Sequence, residues 1–263
     1  MPGLSESAWR LGIFLGVLVV LALFEARLHG PNPAPDRARR WPANAGLVLV
    51  DTLLARVLLP AGAVGAALWA QSRGLGLFNA LAWPAWLEFA LALLLLDLAI
   101  YWQHRLLHVV SWLWPLHRVH HTDATLDATS ALRFHPLEIL LSLAFKAALA
   151  IALGIAPLAM LVFEILLSSF ALVTHANLAL PARLDRVVRW LLVTPTMHRI
   201  HHSVHGAEQR SNYGFNLSLW DHAFRSYSAD HRDPVLRIGV AGVGGERTRR
   251  FLALLREPFA RRD

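Results

Sequence analysis

The chain contains no cysteine, and lysine occurs once, at Lys146, among 25 basic side chains. Without cysteine there is no disulfide, no thiolate metal ligand, no iron–sulfur cluster and no cysteine nucleophile. Any metal must be held by histidine, carboxylate or water. Charge is scarce: 16% of the 263 residues are Asp, Glu, Lys or Arg, against about 25% in soluble domains. Several catalytic signatures are also missing. There is no His-Glu-x-x-His, which removes the general base of that metalloprotease class. There is no Glu-x-x-His pair of the ferritin-like dimetal sites. There is no Gly-x-Ser-x-Gly elbow for a serine nucleophile and no glycine-rich dinucleotide motif after a strand. No basic stripe interleaved with aromatics is present, so nucleic acid is not an expected partner.

Apolar length is abundant, with 56% of residues hydrophobic. A helix needs about 20 apolar residues to cross a hydrocarbon core of about 30 Å. The run 11–28 is long enough, and Glu25-Ala26-Arg27 offers no small-residue cleavage site, so it reads as a retained span. A second span covers 46–70 and should kink at Pro60; Asp51 and Arg56 in it need an interface position or a buried partner. A third covers 86–102, contains Asp97 and runs directly into His104. Tyr101 and Trp102 suit an aromatic belt there. The segments 138–154 and 157–174 form a hairpin about the turn at Gly154 and Pro157. The chain is therefore expected to be all-α, a polytopic membrane helical bundle. The division expected is 1–85 for the first two spans, 86–230 for the chemical region and 231–263 for an Arg-rich tail. That tail should end in a short surface helix over 249–256.

The net charge of +7 is carried by arginine. If the loop with Arg37, Arg39 and Arg40 is cytoplasmic, three spans put His104 and the following loops on that side. Arg183, Arg186, Arg189 and Arg199 then join it, and only Arg10 and Arg73 lie opposite, as the positive-inside rule requires.

Histidine is the one chemically rich residue, and it is clustered. His104 and His108 form one box; His117, His120 and His121 a second; His198, His201 and His202 a third that nearly repeats the second. On a helix, residues three and four apart share a face, with Cβ atoms about 5–6 Å apart. Each box should therefore point its imidazoles one way. Neutral imidazoles bind zinc-like ions at about 2.0–2.1 Å. With His175 there are nine candidates, too many for one ion; two ions with about four or five donors each fit the count. Donor type alone leaves Fe, Cu, Ni and Zn open. His205, His222 and His231 read as exposed or structural, and His29 as a loop residue. The other readings are a histidine-rich metal transporter or metal-binding protein, which needs ionisable residues along a path through the spans, and a b-type haem protein, which needs single facing histidines.

The text around the boxes is specific. It runs Asp97…Tyr101-Trp102-Gln103-His104, His117-Arg118-Val119-His120-His121-Thr122-Asp123, Arg133-Phe134-His135-Pro136-Leu137-Glu138, Thr174-His175-Ala176-Asn177, Thr194-Pro195-Thr196-Met197-His198-Arg199-Ile200-His201-His202-Ser203 and Asn212-Tyr213-Gly214-Phe215-Asn216…Trp220-Asp221. Over 86–227 this resembles the fatty acid hydroxylase / sterol desaturase superfamily, the integral-membrane di-iron oxygenases. The resemblance implies a cytoplasmic helical cap, two non-haem Fe, and O2-dependent hydroxylation or desaturation of a lipid, or ether-lipid cleavage after hydroxylation. It implies His104, His108, His117, His120, His121, His175, His198, His201 and His202 as ligands. An external electron donor (reductase, ferredoxin or pterin) must serve it. The expected location is a bacterial inner membrane. The chain departs from the pattern at Ala179, where some fatty acid hydroxylases carry a further histidine; Asn177 is a candidate to fill that position. Groups expected to orient the imidazoles are Asp97, Asp123, Asp127, His135, Asn216 and Asp221. A lipid channel is expected between the third span and the hairpin.

Overall fold

Inside a bilayer every backbone polar group must be satisfied within its own segment, so long apolar runs become helices. The computed structural model describes residues 6–28, 30–31, 36–81, 83–232 and 235–260; His29 and most of the 30–35 loop lie outside these. Among the described residues the secondary structure is helical, with only isolated β-bridges. The long helices are α1 (Glu6–Arg27), α2 (Arg37–Leu58), α5 (Ala85–Val109), α7 (Pro136–Leu153) and α8 (Pro157–His175). Between them lie α3 (Gly62–Ser72), α4 (Leu77–Ala80) and α6 (Trp114–His121). The later segments α9 (Ala182–Val188), α10 (Pro195–His201), α11 (Gly206–Gln209), α12 (Leu219–Ala223) and α13 (Phe251–Arg256) are short. Five stretches are long and apolar enough to cross a membrane, matching the five segments expected.

The second span is broken rather than kinked. The chain leaves α2 at Leu58 and restarts at Gly62, whose φ of 58° is left-handed. Pro60 has no N–H to continue the ladder and its ring crowds the preceding turn. The α7–α8 turn brings two glycines together. Gly154 ends α7 at φ 68°, and a Cβ on Gly76 would lie 2.1 Å from the Gly154 nitrogen.

The main core joins α3, α5, α7 and α8 through Ala63, Ala67, Leu96, Ala150, Met160 and Phe163, all buried. The seam between α5 and the hairpin is therefore filled here, where the sequence pointed to a channel. An apolar cavity of about 230 Å³ lies instead at the α2–α3 break, lined by Pro60, Ala66, Leu143 and Ala147 among others. The C-terminal helix is not a free surface helix. Leu254 is buried against Ala43, Leu47 and Val119, which docks α13 on α2 and α6.

Asp51, which the sequence expected at an interface or with a buried partner, is buried with its Oδ1 unpartnered among the described residues, whereas Glu164 is paired. Glu164 lies 2.6 Å from Lys146 and 2.9 Å from Arg10. Arg40, read from sequence as a topology anchor, is 3% exposed and straps α2 to the loop after α6. Its guanidinium reaches both Asp123 oxygens at 2.7 and 2.5 Å, Asp127 at 2.7 Å and the Thr125 carbonyl at 2.5 Å. Arg133 adds Asn44 at 2.9 Å and the Thr248 carbonyl at 2.8 Å. Burial pushes the Asp123 carboxyl up, but Arg133 and Arg40 beside it prevail and hold it below the usual range.

Candidate metal centre

Four helix ends meet on one side of the bundle. The last two turns of α5 carry His104 and His108. The short α6 opens with Pro115 in its first turn and carries His117, His120 and His121. α8 ends on His175. α10 opens on Pro195 behind a Thr194 cap, carries His198 and His201, and stops at His202. The near-repeat of sequence is thus a repeat of local design: a proline-started single helical piece, as pre-set φ favours.

All nine imidazoles are buried and fall into two groups. One holds His104, His108, His117, His121 and His201; the other holds His120, His175, His198 and His202; within each, the ligand atoms lie within 4.8 Å of one another. The groups adjoin, with the His121 and His202 rings stacked at 4.2 Å. The boxes do not each point one way, as the sequence suggested. The i,i+4 pairs stay together, since four residues is the closer match to a helical turn's 3.6. The remaining members, His120 and His201, cross to the other group.

The outer nitrogens of five of the nine imidazoles are fixed by acceptors. Nδ1 of His104 donates to the Tyr213 carbonyl, that of His175 to Ala171 and that of His201 to Ser211, each at 2.7 Å. His120 Nδ1 meets the Arg133 carbonyl at 3.3 Å, and His117 Nδ1 meets Glu138 Oε1 at 2.7 Å. A neutral imidazole with its proton on Nδ1 presents a bare lone pair on Nε2. Yet His104 and His117 bring Nε2 to Nε2 at 3.1 Å, and His120 and His175 at 3.0 Å. Two lone pairs at that distance repel and make no hydrogen bond. The contacts become favourable with a cation between them. Metal–nitrogen bonds of about 2.1 Å place neighbouring donors about 3.0–3.4 Å apart, and these contacts, with His175–His198 at 3.1 Å and His117–His121 at 3.3 Å, fall in that range. The Nε2 atoms of His108 and His201 are buried with no hydrogen-bond partner at all. The residues present fit a pair of metal ions.

Electrostatics keep the donors in ligand form. Burial, then the neighbouring imidazoles, drives His120, His121, His198 and His202 well below the usual value of 6.5. Burial takes His201 down to about 3. The sign for metal-stripped protein follows. Below pH 6.5 the unfolded chain gains protons that the folded chain refuses, so stability is lost as pH falls from 6.5 toward 3. Melting of chelator-treated protein across that window checks this; a midpoint independent of pH would contradict it.

The residues expected to orient the imidazoles are mostly occupied elsewhere. Asp97 accepts from Trp220 Nε1 at 2.9 Å and the Leu217 N–H at 3.3 Å, and Asn216 adjoins it. Asp123 and Asp127 hold Arg40. His135 caps α7 through the Leu137 N–H and meets the Leu255 carbonyl with its other nitrogen. The Asn177 N–H donates to Glu25. Asp221 acts one step removed: it accepts from the Tyr213 and Gly214 N–H groups at 2.8 Å, and so holds the carbonyl that fixes His104. His205, His222 and His231 lie outside both groups.

Sequence reasoning missed Glu138, noted only as matching text and the start of a span. Its signal was an acid in the first turn of a mostly apolar helix; at 3% exposed it requires a partner. Glu138→Ala should weaken metal binding about 10–100-fold by freeing the His117 ring, with Glu138→Gln retaining part because its carbonyl still accepts. Metal titration of the stripped protein tests this; equal affinity in all three proteins would contradict it. A cavity of about 280 Å³, lined by His108, Trp114, Gly206, Gln209 and Arg210, borders the five-histidine group.

A family model described as fatty acid hydroxylase matches residues 89–226, which contain all nine histidines. The chain is 32% identical over 182 residues to the ornithine lipid hydroxylase OlsE of Rhizobium tropici, covering 68% of this chain and 53% of that protein. It is 31% identical over 160 residues to the alkylglycerol monooxygenase of Homo sapiens, covering 60% and 34%. It is 31% identical over 139 residues to a cholesterol 25-hydroxylase-like protein of Danio rerio, covering 52% and 54%. The chain thus spans about half or less of the length of these relatives. No solved structure matches it.

Proposed function

Because the chain belongs to the fatty acid hydroxylase family, we propose that it is a membrane-bound non-haem di-iron oxygenase. It would hydroxylate or desaturate a lipid, fatty acyl, sterol or related, using O2 and electrons from an external reductase, ferredoxin or pterin. The observation that carries this reading is the convergence of buried imidazole lone pairs in two adjoining groups. In it, His104, His108, His117, His121 and His201 hold one Fe, and His120, His175, His198 and His202 the other. When bound, the irons supply O2 activation and the oxidising power that an unactivated C–H bond demands. The chain supplies the setting. On His104, His117, His120, His175 and His201, backbone carbonyls and Glu138 keep protons on Nδ1 and so keep Nε2 free to donate. Burial excludes water, which would quench a strong oxidant. The all-imidazole donor set adds no negative charge, which favours reduced ions. Arg40 bonds the loop after α6, so the α2 start lies on the histidine side with α10; arginine on that side supports a cytoplasmic site, and the membrane proposed is a bacterial inner membrane.

A transport role is not favoured, because the histidines gather in two adjoining groups and Glu164, buried within a span, is paired with Lys146 and Arg10. Lipid mass spectrometry of cells with and without the protein under ¹⁸O2 tests the proposal. One labelled oxygen in a lipid, or a new double bond, supports it. An unchanged lipid profile with active electron donors present would sink it. His231→Ala should leave product and iron unchanged.

A further inference from the structure

One segment of the cap carries an exposed apolar stripe. Along α9 and the turn after it, Leu184, Val187, Val188 and Leu191 recur at the i, i+3, i+4, i+7 spacing of an apolar helix face. In water that face should turn inward. Here Leu184, Val187 and Leu191 are 49%, 69% and 57% exposed, as is Trp190 at 68%. Of the charged side chains here, Arg183 and Arg186 are exposed and Asp185 is the buried one. Asp185 is 4% exposed and paired with Arg189, whose guanidinium also reaches the Ala229 carbonyl at 3.0 Å. A contiguous exposed apolar patch of this kind marks contact with another apolar surface.

The position of the segment says which exterior. The Ser218 N–H bonds the Leu191 carbonyl, so Leu191 adjoins Leu219, itself 41% exposed. The same strip is pinned to α5 through Leu217 and Trp220, both donating to Asp97. Asp97 lies seven residues before His104, about 10 Å lower along the helix, near the middle of a membrane-spanning segment. The strip therefore descends beside a span, and its outer face continues that span's lipid-facing surface. Arg183 and Arg186 are exposed beside this stripe on the same helix, where basic side chains suit anionic head groups.

We propose that α9, residues 190–191 and Leu219 form a half-inserted edge of the cap, resting in the interfacial zone of a bilayer with anionic head groups. Leu184, Val187, Trp190 and Leu191 enter the acyl boundary, and Arg183 and Arg186 meet lipid phosphates. This edge does not depend on the metal or on the oxygenase reading. It would bring the bilayer surface against the segment that runs from α9 to the third histidine box.

The absence of native cysteine allows a clean test. Single cysteines at Val187 and at Ala207, an exposed cap position on α11, are nitroxide-labelled in the full chain, in nanodiscs containing phosphatidylglycerol. Both sites are exposed, so neither change disturbs the core. The label at 187 should collide severalfold more with O2 relative to a water-soluble nickel chelate than the label at 207. Replacing Arg183 and Arg186 by Glu should lower that ratio at 187. Equal nickel access at both positions would overturn the proposal and leave the apolar face for a protein partner. An unchanged ratio in the Arg183/Arg186 variant would overturn its electrostatic half. Iron content and product do not enter the readout, so its failure is separate from failure of the proposed activity.

Discussion

His120→Ala and His201→Ala should both abolish oxidised lipid product, but they should differ in iron. His120 belongs to the group of four, so its loss leaves three donors. His201 belongs to the group of five, and its loss leaves four, a number sufficient to retain an ion. His120→Ala is therefore expected to lose at least half of the bound iron, and His201→Ala less. Product falls in both because the groups share a wall and neither ion alone completes the centre. Elemental analysis of purified variants, paired with lipid mass spectrometry, checks this. Full product from either variant would remove the basis for a two-ion site. Equal iron loss in both would contradict the division of ligands.

Arg40→Ala is expected to produce the largest loss of stability. The side chain is buried and shared between two carboxylates, a hydroxyl and a backbone carbonyl. Its removal takes the paired cation from Asp127 and leaves Asp123 only Arg133, 3.6 Å away, a change that costs about 3–5 kcal/mol when a buried pair is broken. Arg40→Lys should recover little. One ammonium cannot reproduce the planar fork that reaches Asp123, Asp127 and Thr125 together. The measurement is thermal unfolding in a fixed detergent. An unchanged midpoint for Arg40→Ala would show that the strap between α2 and the loop after α6 is dispensable.

The contrast between Arg40 and His104 shows what was legible in the sequence. Apolar length sets spans, so all five were readable, and proline at 60 marked the break. The histidine boxes were readable because helical spacing is local. Their distribution between two groups was not, since it depends on how α6 and α10 face each other across the bundle. The acceptors on Nδ1 were hidden for a simpler reason. Backbone carbonyls such as those of Tyr213, Ala171 and Ser211 carry no sequence signature. Side-chain acids do, and they drew attention to Asp97 and Asp123, whose partners are Trp220 and Arg40. Arg40 itself looked like any cytoplasmic anchor, because charge counting does not separate a solvated arginine from a buried one. In the sequence the α9 segment counted only for its arginines; burial shows that Leu184, Val187 and Leu191 beside them face outward.

The central claim is that two sets of imidazoles grip two irons beside the membrane. Iron quantification of the full chain, purified from iron-replete cells, tests it most directly. Two irons per chain, displaced by acid as the histidines take up protons, is the predicted result. Protein that binds no iron yet still oxidises lipid would contradict it.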